Sequence, residues 1–149
     1  MFELAQINVA RMKGENYNDP IMKDFVDNID RINTIAEKSP GFVWRLKDDN
    51  NNSLDANPYG NQQILINVSV WKNVQTLQDF VYNSMHLEIM RRKRAWFNHF
   101  SGFYYALWWI PNGKYPSAED AAEQLKILQE KGPSEKIFTF KEHYPSPRK

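Results

Sequence analysis

The sequence predicts an α+β fold in which one antiparallel sheet carries two helices on the same face. Apolar residues recur with strand or helix spacing in the order strand, helix, strand, strand, helix, strand, and turn residues separate these segments. A further helix and a short strand follow. The first six elements have the order of the ferredoxin-like βαββαβ fold. We expect residues 1–149 to form a single domain, because 149 residues is about the length of one domain.

The first half of the chain predicts a strand, a helix and a second strand. Residues 2–12 form a hydrophobic run typical of a strand. Asp19 and Pro20 begin a helix, because Asp caps free backbone amides and Pro lacks an N–H that the first turn does not use. Residues 42–46 then alternate as a second strand. The apolar face of the helix consists of Met22, Phe25, Ile29, Ile32 and Ala36. The side chains expected to share one face of the second strand are Phe42, Trp44 and Leu46.

The second half begins with a polar stretch, residues 47–63, that is typical of an extended hairpin loop. Residues 64–71 alternate as a third strand. Asn73 can cap a second helix, which we expect to continue, with a kink, toward Phe97. Residues 103–110 form the nearly unbroken apolar run of a strand that is covered on both faces.

Both faces of the predicted sheet are apolar, although the two helices cover only one of them. The strands at 64–71 and 103–110 carry apolar residues on both sides. We therefore predict a homodimer in which two copies pack sheet to sheet across a twofold axis. The alternative is that the third helix, which begins at Ser117 and ends before Gly132, wraps round and covers that face within one chain. A short strand at 137–140 is expected after it.

Composition and charge exclude several functional classes. Nineteen Lys and Arg against eighteen Asp and Glu give a net charge of only +1, so the overall charge is too small to attract nucleic acid or an anionic membrane. The absence of cysteine excludes disulfides, thiolate zinc sites and cysteine nucleophiles. No apolar run approaches the roughly 20 residues that span a bilayer, and the first residues lack the features of a secretion signal. We expect a cytoplasmic protein with neither a nucleic-acid nor a membrane partner.

Several segments of the sequence resemble known proteins. The segment VWKN at 70–73, followed by Leu77 and Phe80, resembles the strand-to-helix junction of the dimeric α+β barrel superfamily, which includes antibiotic-biosynthesis monooxygenases and small haem-degrading monooxygenases. Over nearly the whole chain, four segments resemble a bacterial family within it that is catalogued as a domain of unknown function. They are AQINVAR at 5–11, SPGFVWRL at 39–46, NVSVW at 67–71 and WWIP at 108–111. The resemblance implies a dimeric α+β barrel and chemistry similar to that of the cofactor-free monooxygenases.

The haem-degrading members of the superfamily match this chain less well. They resemble it in carrying an Asn on the first strand, which Asn8 matches. They have a Trp in the second helix where this chain has Phe80, and their haem-ligating His falls at Met90. The nearest imidazole, His86, lies about one helical turn earlier. We therefore expect no haem and no other cofactor.

Polar side chains inside otherwise apolar strands form the candidate site. They are Gln6, Asn8, Arg45, Asn67 and Ser69. Burying an unpaired amide or guanidinium costs free energy, so such groups are paired, hydrated or face a cavity. In one interpretation Asn8 and Asn67 donate hydrogen bonds to a carbonyl or phenolate at the floor of a pocket between sheet and helices. The walls of that pocket would be Trp71, Phe80, Tyr82 and Trp96, with Gln6 and Arg45 as further ligand-binding residues. In the other interpretation, these polar groups form a network that fixes how two sheets pack in the dimer.

His86 is the candidate general base, because an imidazole can accept a proton near neutral pH. Alternatively, it caps a kinked helix or bonds a backbone carbonyl. The three histidines, His86, His99 and His143, have no metal-binding spacing, so we expect no metal site. The basic run at 91–94 is either a solvated helix end or a clamp for an anionic group of a ligand.

The resemblance implies a cofactor-free, monooxygenase-like enzyme that acts on a small aromatic or polyketide-like compound, with the polar side chains as the floor of its pocket. The alternative is a non-catalytic small-molecule-binding or stress-associated module.

Overall fold

A computed structural model describes residues 1–47, 52–82 and 91–147 and has the predicted α+β architecture. A short 3-10 turn at Pro20–Met22 leads into the first helix. The strands are β1 (Phe2–Met12), β2 (Phe42–Arg45), β3 (Ile64–Trp71), β4 (Phe97–Asn98) and β5 (Tyr105–Pro111), and the helices are α1 (Lys23–Lys38), α2 (Val74–Val81), α3 (Lys93–Trp96) and α4 (Ala118–Lys131). The ferredoxin-like core and the added C-terminal helix are thus confirmed.

The sheet is antiparallel, and β1 is its central strand. The order is β2-β3-β1, and the other edge of β1 pairs with β5 and, at its end, with β4. In this register Gln6 lies opposite Ser69, and Asn8 lies opposite both Asn67 and Tyr105. Because directly opposed residues point to the same face of a sheet, the register brings these polar side chains together.

Helices α1 and α2 pack on one face of the sheet, as predicted. Two apolar clusters hold them there, one at each end of the strands. The first cluster contains Leu4, Ala36, Trp71, Leu77, Leu107 and Phe138. The second contains Met12, Met22, Leu65 and Trp96. Between the two clusters lies the stretch of sheet that carries the polar residues.

The opposite face of the sheet is covered by α4. Its Ala121, Leu125 and Leu128 are fully buried against that face. The sheet residues beneath it are Ala5, Ile7, Val9, Ile64, Ile66, Val68, Val70, Ala106, Trp108 and Ile110. The expectation that a second copy must cover this face is therefore wrong, because the third predicted helix covers it within one chain. The homodimer itself is not tested by these observations and stays a prediction.

Side-chain caps fix where the helical segments begin. Asp19, Asn73 and Ser117 each accept a hydrogen bond from a backbone amide of the following turn, at 2.9 to 3.1 Å.

Gly41, just before β2, has a φ of +84°, and a Cβ there would lie 2.4 Å from side-chain atoms of Thr76 in α2. Glycine is thus required for β2 and α2 to approach each other.

The structure gives the ends of two further predicted elements. The second helix was expected to continue, with a kink, toward Phe97. Residues 83–90 lie outside the described residues, α3 ends at Trp96, and Phe97 begins a short strand that pairs with Met12 at the end of β1. Its ring packs edge-on against Phe25 of α1, with centroids 5.0 Å apart. The strand expected at 137–140 is reduced to isolated bridges, one of them between Phe138 and Leu107.

None of the helices within the described ranges is both long and apolar enough to cross a membrane.

Candidate functional site

A β-bulge in β2 turns Arg45 toward the helices. The register shifts between Phe42 and Trp44, so Phe42 lies opposite Trp71 while Trp44 packs on the α4 side of the sheet. The expectation that Phe42 and Trp44 share a face is therefore wrong. Bulges change which way the following side chains point, and this one places Arg45 opposite Ser69.

Gln6 is the centre of a buried hydrogen-bond network on the helix-facing side of the sheet. Its Nε2 donates to Asn67 Oδ1 and to Ser69 Oγ, each at 2.7 Å. Trp71 Nε1 donates to the same Ser69 hydroxyl at 2.8 Å. Gln6 is only 6% exposed and Trp71 only 1%. These two predicted ligand-binding residues therefore hold their neighbours in place instead of contacting solvent.

The next set of cross-strand partners consists of Asn67 on β3, Asn8 on β1 and Tyr105 on β5, which we call the polar row. Asn8 is exposed although it lies in the middle of the central strand. Within the part of the chain that the structure describes, its amide makes no hydrogen bond. Asn67 uses its Oδ1 to accept from Gln6, and its NH₂ group makes no hydrogen bond to any of the described residues. Two amide donors therefore lie side by side on an accessible surface.

Tyr105 completes the polar row and was not predicted, because it lies in the apolar run of β5. Its phenolic oxygen accepts a hydrogen bond from the backbone N–H of Phe140 at 3.1 Å. Burial raises the pKa of the Tyr105 phenol above 10.0, and this outweighs the lowering effects of that hydrogen bond and of a hydrogen bond with the Thr139 side chain. At neutral pH Tyr105 therefore keeps its proton and can donate it to a ligand.

The predicted aromatic walls lie in different places. Phe80 stacks on Trp71, with ring centroids 5.1 Å apart. Tyr82 ends α2 and is 63% exposed, and it is close enough to Tyr105 to contribute to raising the pKa of that phenol. Trp96 is buried in the second apolar cluster, so it fills the core and does not line the polar row.

Two basic residues, Arg45 of β2 and Arg92 of the basic run, form ion pairs with α1. Arg45 is buried, and its Nε donates to Glu37 of α1 at 3.2 Å. Arg92, from the basic run, pairs with Asp24 of α1 at 3.2 Å and lies 5.1 Å from the centroid of the Trp96 ring. These contacts tie β2 and α3 to α1. They favour the solvated helix end over the anion clamp for the basic run.

The predicted general base, His86, lies outside the described residues, as does Met90, so its role stays a prediction. The Nδ1 atom of His143 lies 2.9 Å from the carbonyl oxygen of Phe140. Among residues 1–47, 52–82 and 91–147, no three His, Asp or Glu side chains are grouped to hold a metal ion.

Two surface cavities lie away from the polar row. One, of about 420 Å³, is bordered by the first residues of β1 and by the start of β2. The other, of about 510 Å³, lies between α2, Trp109 and residues 143–146. Neither cavity contains Asn8, Asn67 or Tyr105. We place the candidate site at the polar row because hydrogen-bond donors without partners, more than surface concavity, indicate where a polar ligand binds.

The family comparison covers nearly the whole chain. The family model of a domain of unknown function, DUF3291, matches residues 3–149. The chain belongs to this family. The predicted resemblance to a family of unknown function is thus confirmed. No curated protein matches this DUF3291 chain.

Two solved structures with TM-scores of at least 0.50 show the same fold as the DUF3291 chain, and a third is similar with a lower score. A conserved protein from Methanosarcina mazei Go1 matches with a TM-score of 0.51 and 12% identity, over 74% of this chain and 92% of that one. The protein PA3566 from Pseudomonas aeruginosa matches with a TM-score of 0.50 and 8% identity, over 78% of this chain and 96% of that one. SnoaB from Streptomyces nogalater, a cofactor-independent oxygenase, has a TM-score of 0.47 and 14% identity, over 76% of this chain and 96% of that one.

Proposed function

We propose that this DUF3291 protein binds a small aromatic or polyketide-like compound at the polar row and oxidises it with molecular oxygen, without a bound cofactor. The observation that supports this most is the alignment of Asn8, Asn67 and Tyr105 across three strands, with Asn8 exposed. All three side chains are uncharged hydrogen-bond donors. Such donors stabilise an oxygen atom that becomes negative during a reaction.

An anthrone illustrates the chemistry that this arrangement supports. Loss of a proton from its CH₂ group gives an enolate, whose charge resides largely on oxygen. Hydrogen bonds from Asn8 and Asn67 to that oxygen would favour the ionised form. The enolate then reduces O₂: one oxygen atom becomes the second carbonyl of the anthraquinone, and the other leaves as water with the two hydrogens of the CH₂ group. His86 is the proposed acceptor of the first proton.

Oxygen uptake with anthrone as the substrate tests this proposal. We expect the wild-type protein to accelerate uptake above the protein-free rate, and Asn8→Ala and Asn67→Ala each to lower that acceleration by about 10²-fold, as for the loss of one oxyanion donor. Asn112→Ala is the control, because Asn112 is exposed and lies near the first residues of β1, away from the polar row. Uptake by the wild-type protein at the protein-free rate would contradict the proposal.

The second candidate function is a binding module that holds such a compound without turnover. Two observations favour it: Gln6 and Arg45 are buried and fully engaged with the protein, and Tyr105 keeps its proton at neutral pH. The three side chains of the polar row thus supply hydrogen-bond donors but no general base. Saturable binding of the compound together with unaccelerated oxygen uptake would support this function.

A further inference from the structure

The larger of the two surface cavities lies between α2 and the C-terminal segment, away from the polar row, and we call it the tail groove. Its volume is about 510 Å³, within the range that small-molecule sites have. The polar residues that border it are Asn73, Gln75, Gln78, His143 and Ser146, and Trp109 adds an aromatic ring. No Asp, Glu, Lys or Arg is among the described residues that border it.

Trp109 gives the tail groove an aromatic wall whose orientation is fixed. Its Nε1 donates to the backbone carbonyl of Tyr144 at 2.9 Å. Its ring also packs against Phe138 of the first apolar cluster, with centroids 6.5 Å apart. Trp109 is only half-buried, so part of its surface stays open to the groove. A ring held in this way binds a flat apolar surface without first having to be ordered.

The α2 side of the tail groove offers hydrogen-bond donors and acceptors together. Asn73 uses its Oδ1 to cap the helix, which leaves its NH₂ group without a partner within the described ranges. Gln75 donates to Asp79, which leaves its Oε1 as an acceptor. The side chain of Gln78 makes no hydrogen bond to any described residue, so it can donate and accept.

The C-terminal side of the tail groove has the same mixture. The Nδ1 atom of His143 lies 2.9 Å from the carbonyl oxygen of Phe140. Because a carbonyl oxygen only accepts, Nδ1 carries the hydrogen, and Nε2 of the neutral ring is an acceptor. Ser146 is exposed, and its hydroxyl can both donate and accept.

We propose that the tail groove binds a neutral sugar, with one C–H face of the sugar ring on Trp109 and the hydroxyls bonded to Gln78 and His143. Each sugar hydroxyl donates and accepts, so neighbouring hydroxyls match walls that mix the two. A quinone has acceptors only and would leave Gln75 Oε1 and His143 Nε2 without a donor. Since no charged side chain is among the described residues of the groove, nothing there favours a sugar phosphate or a sugar acid. This site is independent of the proposed oxidation at the polar row.

Titration of ¹⁵N-labelled protein with the methyl glycosides of D-glucose, D-galactose and D-mannose tests the proposal. The indole N–H signals are followed by NMR, and the Trp109→Phe variant identifies the signal of Trp109. We expect that signal to shift with at least one glycoside, with a Kd of about 1 mM, as for a small neutral ligand.

Gln78→Ala should raise this Kd about tenfold, because it removes both a donor and an acceptor. The matched control is Gln124→Ala on α4, which covers the opposite face of the sheet. This control should leave the Kd unchanged, and the spectra of both variants show whether they are folded.

Three results would overturn the proposal. The first is no shift of the Trp109 signal with any of the three glycosides at about 50 mM, well above the expected Kd. The second is the same Kd in Gln78→Ala as in the wild-type protein. The third is a shift with N-methylacetamide as large as that with the glycosides, which would assign the groove to a peptide ligand.

Discussion

Gln6 and Asn8 are two residues apart on the same face of β1, but their amides differ in what surrounds them. Gln6 donates to both Asn67 and Ser69 and is buried. Asn8 is exposed, and nothing in the described part of the chain bonds its side chain. Gln6 therefore positions the site, whereas Asn8 is free to contact a ligand. Their spacing in the sequence shows that they share a face but not this difference in role.

Replacing Gln6 by Leu should destabilise the protein by about 1–3 kcal/mol, because the oxygen of Asn67 loses its donor. Urea unfolding measures this change. The control is Gln75→Leu on α2, where Gln75 makes an exposed hydrogen bond to Asp79 and the effect should stay within about 0.5 kcal/mol. Equal effects of the two substitutions would mean that the buried network contributes nothing specific to stability.

The raised pKa of Tyr105 predicts that the folded protein loses stability at alkaline pH. Its pKa is raised above 10.0 in the folded protein, so between the unfolded and the folded pKa the folded state binds more protons than the unfolded chain. The free energy of unfolding therefore falls as the pH rises through about 10. Tyr105→Phe should show a smaller fall, measured by urea unfolding at about pH 8 and pH 11. If the free energy of unfolding of Tyr105→Phe falls as steeply as that of the wild-type protein, folding does not raise the pKa of Tyr105.

At the level of elements, the sequence predicted those features that depend on local spacing. Ile64, Ile66, Val68 and Val70 share one face of β3 because side chains alternate along any strand, and they do so in the structure. Asp19, Asn73 and Ser117 begin helices because their side chains bond the first turn. Both kinds of signal involve residues only a few positions apart.

Features that depend on distant partners or on one inserted residue could not be predicted in this way. Whether α4 or a second copy covers the apolar face depends on where Leu125 packs, and nothing next to it in the sequence specifies this. The bulge in β2 reverses the face of Trp44 without a turn residue to mark it. Within the candidate site, Tyr105 is hidden in an apolar run.

The packing of α4 predicts a large cost for Leu125→Ala. Leu125 is fully buried against the sheet, so its truncation should destabilise the protein by about 2–5 kcal/mol. Lys126→Ala, at the exposed neighbouring position, should change stability by less than about 0.5 kcal/mol. Urea unfolding of both variants checks this. Equal and small effects would mean that α4 does not form the cover of this face in solution.

For the whole molecule, the resemblance to the dimeric barrels predicts a homodimer, while α4 leaves no open apolar sheet face for it. Light scattering should give twice the chain mass of 17.6 kDa if the dimer forms. Because α4 already covers β3, amide hydrogen exchange of residues 64–71 should not change when the protein is diluted until it dissociates. A mass of 17.6 kDa at all concentrations would contradict the dimer. Faster amide exchange of residues 64–71 on dilution would instead support a dimer that packs sheet to sheet.

The molecule as a whole places its polar residues in one layer between two apolar clusters. The clusters fix α1 over the sheet at both ends, and the stretch of sheet between them contains Asn67 and the exposed Asn8. Such an arrangement keeps donors in place before a ligand arrives, so little of the binding free energy is lost in ordering them.

A crystal structure with 1,8-dihydroxyanthraquinone tests the central proposal, ligand binding at the polar row, most directly. We predict oxygen atoms of the compound at hydrogen-bond distance, about 2.7–3.2 Å, from the side-chain nitrogens of Asn8 and Asn67. Density for the compound only in the groove between α2, Trp109 and residues 143–146, or no density at all, would contradict it.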